Sequence, residues 1–137
     1  VSRRREALGE WRRRAPLLGL VAAGGALGSL ARYEIVRASH VTPGSFPWPT
    51  FVVNVTGAFA LGLLVAVVAV RFPTSRYARP FLGIGFLGAY TTMSSLAVEA
   101  VVLGRDGHAG IAAVYVGSSM VGGVAACSVG LVAGRSR

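Results

Sequence analysis

Two pairs of polar residues sit four apart in stretches that are otherwise apolar: Thr50 with Asn54 in "TFVVN", and Tyr115 with Ser119 in "YVGSS". Four residues is just over one helical turn, so each pair shares a helical face. Asn54 brings N–H donors, and the other three bring a hydroxyl each. Such faces can hydrogen-bond a polar solute or ion, or bond to a neighbouring helix. A third cluster is denser. Residues 85–96 read "GFLGAYTTMSSL", two glycines and a run of hydroxyls within the uncharged stretch from Pro80 to Val98. If the chain leaves the helix there, its freed carbonyl oxygens can hold a small hard cation. If the helix is continuous, the hydroxyls bond back to the preceding turn instead. Spacing alone leaves both readings open. Arg32, just inside an apolar run, is a functional candidate because a charge there is costly; the competing reading is a side chain snorkelling to the interface.

The elements that must position these residues are membrane spans. The chain has 137 residues, 53% apolar and 14% charged, where a soluble domain carries about 25% charged residues. Four apolar stretches, about 15–36, 48–70, 79–103 and 108–133, each approach the ~20 residues that cross a bilayer core. The expected architecture is an all-α membrane protein: an arginine-rich cytoplasmic segment, 1–14, and a four-helix unit, 15–137. Short connections make consecutive helices antiparallel neighbours. Pro43, Pro47 and Pro49 mark a loop and a helix start, and Pro73 and Pro80 bracket the second connection. Trp11 and Trp48 fall where aromatic belts form. Small residues recur at four-residue spacing, Gly24 with Gly28, Ala58 with Gly62, Ser118 with Gly122 and Ser119 with Gly123, which suits close helix packing and oligomerisation. Cys127 is read as a small packing residue. The opening "VSRRREALGEWRRR" does not read as a signal peptide, since the apolar run after it is too long and three more follow.

Charge indicates topology. All 14 basic residues are arginines, and with five acids they give a net charge of +9. They cluster between apolar blocks rather than on a polar helical face, which argues against a nucleic-acid binder. With four spans, Arg3, Arg4, Arg5, Arg12, Arg13, Arg14, Arg71, Arg76, Arg79, Arg135 and Arg137 share one side, against Arg32, Arg37 and Arg105 on the other. That bias predicts cytoplasmic termini in a multi-pass protein of the cell's inner (plasma) membrane. No enzyme constellation is visible. His40 and His108 lack a second ligand at metal spacing, and "AAGGALGSL" lacks the strand and lysine of a phosphate loop.

Four motifs then occur in order: "GGALGSLARY", "PTFVVNVTGAFALG", "GFLGAYTTMSSLAVE" and "YVGSSMVGG". Together they resemble the CrcB/Fluc family of fluoride channels over nearly the whole chain after residue 15. The resemblance implies an antiparallel, dual-topology dimer of four-helix subunits, with the third helix broken at the midplane. Two narrow pores would let fluoride leave the cytoplasm passively and so lower its toxicity. A structural sodium ion at the dimer centre would be held by the backbone carbonyls of Gly88 and Thr91, its trapped charge favouring an anion nearby. The glycines and threonines would serve to unwind the helix. Thr50, Asn54, Thr92, Ser95, Tyr115 and Ser119 would belong to the fluoride path, and Arg32 would stand in an aqueous vestibule. Glu99 matches a family acid but receives no role in conduction.

The chain also departs from that pattern. Met93 and Leu96 stand where the family places two phenylalanines whose positive ring edges face the anion, and Ala89 replaces a glycine. The arginine bias opposes insertion in both orientations. Both features suggest one subunit of a heterodimer, paired with an inverted paralogue, rather than a homodimer. Two alternatives remain: a non-conducting or partly degenerate partner subunit of a heterodimeric fluoride channel, and a small four-helix proton-coupled exporter. The exporter would need a carboxylate in mid-span, and the first span offers only Glu34, near its end.

Overall fold

The computed structural model describes residues 2–71 and 77–136, with side chains described in 14–69 and 77–136. Pro73, Arg76 and Arg137 lie outside the described residues, and the side chains of Trp11, Arg71 and the arginines before Arg14 are likewise not described. Helix α1 (Ser2–Ala38) leads through a loop to α2 (Trp48–Arg71). A π-helical segment (Arg79–Leu87) then runs into the short α3 (Gly88–Tyr90), followed by α4 (Met93–Arg105) and α5 (Ala109–Arg135). Four stretches are long and apolar enough to cross a membrane: Arg14–Ala38, Trp48–Ala69, Arg79–Arg105 and Ala109–Arg135.

The helices do not pair in chain order. α1 packs on the π-helical segment and α2 on α5, while α1 and α2 barely touch. Both main pairs run parallel, because residue numbers climb together along each contact: Gly24 with Phe81, Gly28 with Phe86, Arg32 with Thr91; then Phe51 with Gly122, Phe59 with Gly130, Leu63 with Gly134. α4 and α5 form the expected hairpin of consecutive helices, with Glu99 opposite Tyr115, and α2 also meets the third span in antiparallel order, Asn54 at Thr92 and Leu64 at Gly83. The expectation of consecutive neighbours thus holds from α2 to α5 and is corrected for α1 and α2, and glycine is the reason for the stronger parallel pairs. A Cβ at Gly28 would collide with the Phe86 carbonyl oxygen, and one at Gly62 with that of Cys127. These seams let backbones approach to contact, and in lipid such packing, not hydrophobic burial, selects the partner helix.

Burial follows. The small core joins Leu96, Leu103 and the fully buried Tyr115, with Phe46, Phe51, Ile111 and Val116 packed against it. Large apolar side chains such as Leu27, Leu30, Ile84, Val121 and Val124 remain exposed, as expected where the surroundings are lipid or another subunit. Of the predicted small-residue faces, Gly24–Gly28 and Gly62 lie in seams, whereas Gly123 has open space beside it.

Candidate functional site

The third span leaves helical backbone at two residues. Thr91 (φ −76°, ψ 156°) and Thr92 (φ −149°, ψ 116°) are extended. Thr92 has thirteen span residues on either side of it. Three local features hold this conformation. Thr92 caps α4, its Oγ1 accepting the Ser95 N–H at 3.2 Å, so an otherwise unpaired first-turn donor is satisfied. Asn54 of α2 brackets the Thr92 backbone: its Oδ1 accepts the Thr92 N–H at 2.8 Å, and its Nδ2 donates to the Thr92 carbonyl at 3.0 Å. Gly57, one turn along α2, lies against the Thr91 methyl. In a continuous helix the Thr92 N–H would go to the Gly88 carbonyl; here Asn54 takes it.

The glycines are therefore not what unwinds the chain. Gly88 is helical (φ −64°, ψ −32°), and Gly85 serves a close approach to α1, where a Cβ would meet the Val21 carbonyl. The hydroxyls divide between the two readings of the sequence. Thr91 Oγ1 bonds back to the Leu87 carbonyl at 3.0 Å, while Thr92 Oγ1 turns to Ser94 and Ser95. Arg32, half-buried, donates from Nη1 to the Thr91 carbonyl at 3.4 Å.

Glu99, one turn beyond Ser95 on α4, is the residue that sequence reasoning passed over. Its Oε1 accepts from Thr50 Oγ1 at 2.8 Å and its Oε2 from Tyr115 Oη at 2.6 Å. One carboxylate thus joins the two polar faces on which the sequence reading began. Its spacing was a usable signal, because Thr92, Ser95 and Glu99 recur at three and four residues along one face. Tyr115 is held from its other side by Phe46, whose ring meets it edge-on at 5.2 Å.

Two clefts flank the extended residues. One, of about 320 Å³, is lined by Asn54, Gly88, Thr91, Met93, Leu96 and Ser119 among others. The second, of about 420 Å³, is lined by Arg32, Thr50, Ser95 and Glu99 among others. Thr92 lines both. Leu96 is 6% exposed, but Met93 is 67% exposed, so the first cleft opens to the outside of the bundle. Ser119, 7% exposed, presents a buried Oγ with no hydrogen-bond partner. Glu34 stands apart, exposed and 3.5 Å from Arg37 Nε.

Every predicted site residue thus lines one of the two clefts or bonds to a residue that does. Asn54, predicted as a free donor, spends its carbonyl and one N–H on Thr92 instead. Tyr115 reaches the second cleft only through Glu99.

These features define a multi-pass α-helical membrane protein with a polar seam through its interior. The family model described as "CrcB-like protein, Camphor Resistance (CrcB)" matches residues 19–131. A protein of Mycolicibacterium paratuberculosis called "Fluoride-specific ion channel FluC 1" is 46% identical over 109 residues, 80% of this chain and 83% of that one. "Fluoride-specific ion channel FluC" of Agrobacterium fabrum is 43% identical over 120 residues, 87% of this chain and 96% of that one. Streptomyces avermitilis has relatives numbered FluC 2 and FluC 3; the latter is 44% identical over 90% of this chain, which spans 61% of that longer protein. The chain belongs to the CrcB family.

Proposed function

We propose that this chain is a subunit of a fluoride-specific channel, as its relatives are named, through which fluoride leaves the cytoplasm down its gradient. Fluoride holds water tightly, so a path through the membrane must replace that water with hydrogen-bond donors. Ser119 carries the reading: a buried hydroxyl without a protein partner is costly unless something else receives its proton. The remaining Asn54 N–H and the Ser95 hydroxyl, which accepts from Thr92 Oγ1 and keeps its own proton, extend a run of donors past the clefts. Arg32 supplies positive charge at the second cleft.

The extended residues are read as a helix broken at the membrane midplane, facing an oppositely inserted second subunit. The chain's oxygens suit a sodium ion there: the Gly88 carbonyl loses its helical donor, the Thr92 N–H, to Asn54, and the Thr91 carbonyl belongs to an extended residue. Neutral oxygens fit a hard cation, and bound sodium would add a fixed positive charge near the anion path. Arg32 reaches the same Thr91 oxygen, so guanidinium and ion would share a ligand.

Met93 and Leu96 favour a heterodimer, in which an inverted paralogue supplies the aromatic edges that this chain lacks; a partner subunit without flux of its own is the second reading. The numbered FluC proteins within one organism make such a partner reasonable. Fluoride efflux from liposomes, measured with the chain alone and then with a paralogue, is the test. Efflux requiring both supports the heterodimer, and efflux from this chain alone supports a homodimer. A paralogue that conducts equally well without this chain would leave it a scaffold. Flux that needs a proton gradient and an organic cation would overturn the channel.

A further inference from the structure

The sequence assigns the protein's entire net charge to one pole of the bundle, apart from the residues of the proposed conduction path. The parallel seams place Arg14 and Arg79 toward the same pole, since they precede Gly24 and Phe81, which meet, with Arg14 about 12 Å farther out along its helix. The ends of α2 and α5 lie close in height, because Ala66 meets Gly134. The Leu64 side chain beside Gly83 sets both pairs at one height. Arg14, Arg79 and Arg135 therefore share a pole. The α1 backbone is helical from Ser2, so it continues twelve residues before Arg14, about 18 Å of helix, through Arg3, Arg4, Arg5, Arg12 and Arg13. With Arg71, Arg76 and Arg137 the sequence assigns eleven arginines and two acids to this end, which accounts for all of the +9. The opposite half balances three arginines with Glu34, Glu99 and Asp106.

We infer that this pole, led by the helical extension of α1, is a binding surface for the headgroups of anionic phospholipids in the adjoining leaflet. Three observations favour lipid. The basic residues are all arginine, whose planar fork matches phosphate bidentately where lysine offers a point charge. They begin directly at the end of an apolar span, where a basic cluster meets headgroups first. In the sequence, Leu8, Trp11, Ala15 and Leu18 recur at three- and four-residue spacing, an apolar pattern suited to the interface. Pro16 lies inside α1 and has no amide to give the Arg12 carbonyl, which lets the extension bend toward the surface.

The two tryptophans test this, since Trp11 lies in the extension and Trp48 begins α2 at the opposite pole. Trp48→Phe and Trp11→Phe each leave one reporter in the full-length chain. Both would be reconstituted in phosphatidylcholine vesicles containing brominated phosphatidylglycerol, or the same proportion of brominated phosphatidylcholine. Symmetric vesicles remove any effect of orientation. Trp11 should be quenched by the anionic lipid at least tenfold more effectively than by the zwitterionic one at low salt, given about fivefold per engaged arginine. The preference should fade with added salt, and Trp48 should show none. Replacing Arg3, Arg4, Arg5, Arg12 and Arg13 with glutamine should bring Trp11 down to the level of Trp48. Equal quenching by both lipids at Trp11 would overturn the inference, as would a preference that survives the glutamines. So would an RNA oligonucleotide that binds more tightly than the lipid and displaces it. None of these outcomes depends on whether the chain conducts fluoride.

Discussion

A buried serine with no partner is a liability unless its hydroxyl is used, and this makes Ser119 a sharp probe. Ser119→Ala removes an unsatisfied group whose burial costs about 1–3 kcal/mol, so thermal unfolding in detergent should be unchanged or move upward. If Ser119 meets the permeating ion, fluoride efflux should fall about tenfold, the equivalent of one charge-assisted hydrogen bond. Flux unchanged beside raised stability would assign the hydroxyl to packing alone. Asn54 should behave in the opposite way. Asn54→Leu deletes both bonds to Thr92 and should destabilise by about 1–3 kcal/mol, with flux lost because Thr92 is released. Thermal melting and efflux measured on the same preparation separate the two residues.

At the level of the helix, close approach rather than hydrophobicity selects partners. Gly28→Ala and Gly62→Ala each press a methyl into a carbonyl oxygen of the facing helix. Overpacking of that kind costs about 1–3 kcal/mol, and each variant should melt earlier than the parent. Gly19→Ala has open space around it and should be neutral, which makes it the control for glycine replacement as such. Equal effects at all three positions would mean that the seams do not discriminate. The third span follows the same logic. Its departure from helix is held by a cap on α4 and a bracket from α2, so it belongs to two elements at once.

The whole molecule poses the question of its companion. Met93 is exposed at the rim of its cleft, so Met93→Phe can be accommodated without a clash, whereas Leu96→Phe must enlarge a side chain that is already 6% exposed. If absent aromatic edges limit this chain, the double variant should gain fluoride efflux when co-reconstituted with a paralogue whose own pore is blocked. No gain would show that the partner's rings, or the geometry around Leu96, govern conduction. Topology is a second test at this scale. A reporter fused to the C-terminus should read as cytoplasmic. Replacing the five arginines between residues 3 and 13 leaves six against three and should yield a mixture of orientations.

Amino-acid order alone determined the spans, because a bilayer demands long apolar stretches and the chain has four of them with arginines between. It also singled out Thr50, Asn54, Tyr115 and Ser119, since polar groups are conspicuous among apolar neighbours at helical spacing. Tertiary structure alone decided which helices meet, because carbonyl-to-glycine contact depends on a facing surface that no local pattern encodes. It also decided what the polar groups do. Asn54 became a bracket, and Glu99, at the far end of its span, became the link between two faces. Hydrogen bonds between residues 38 or 49 positions apart are set by how packed helices fall into register, and register is a property of the assembled fold.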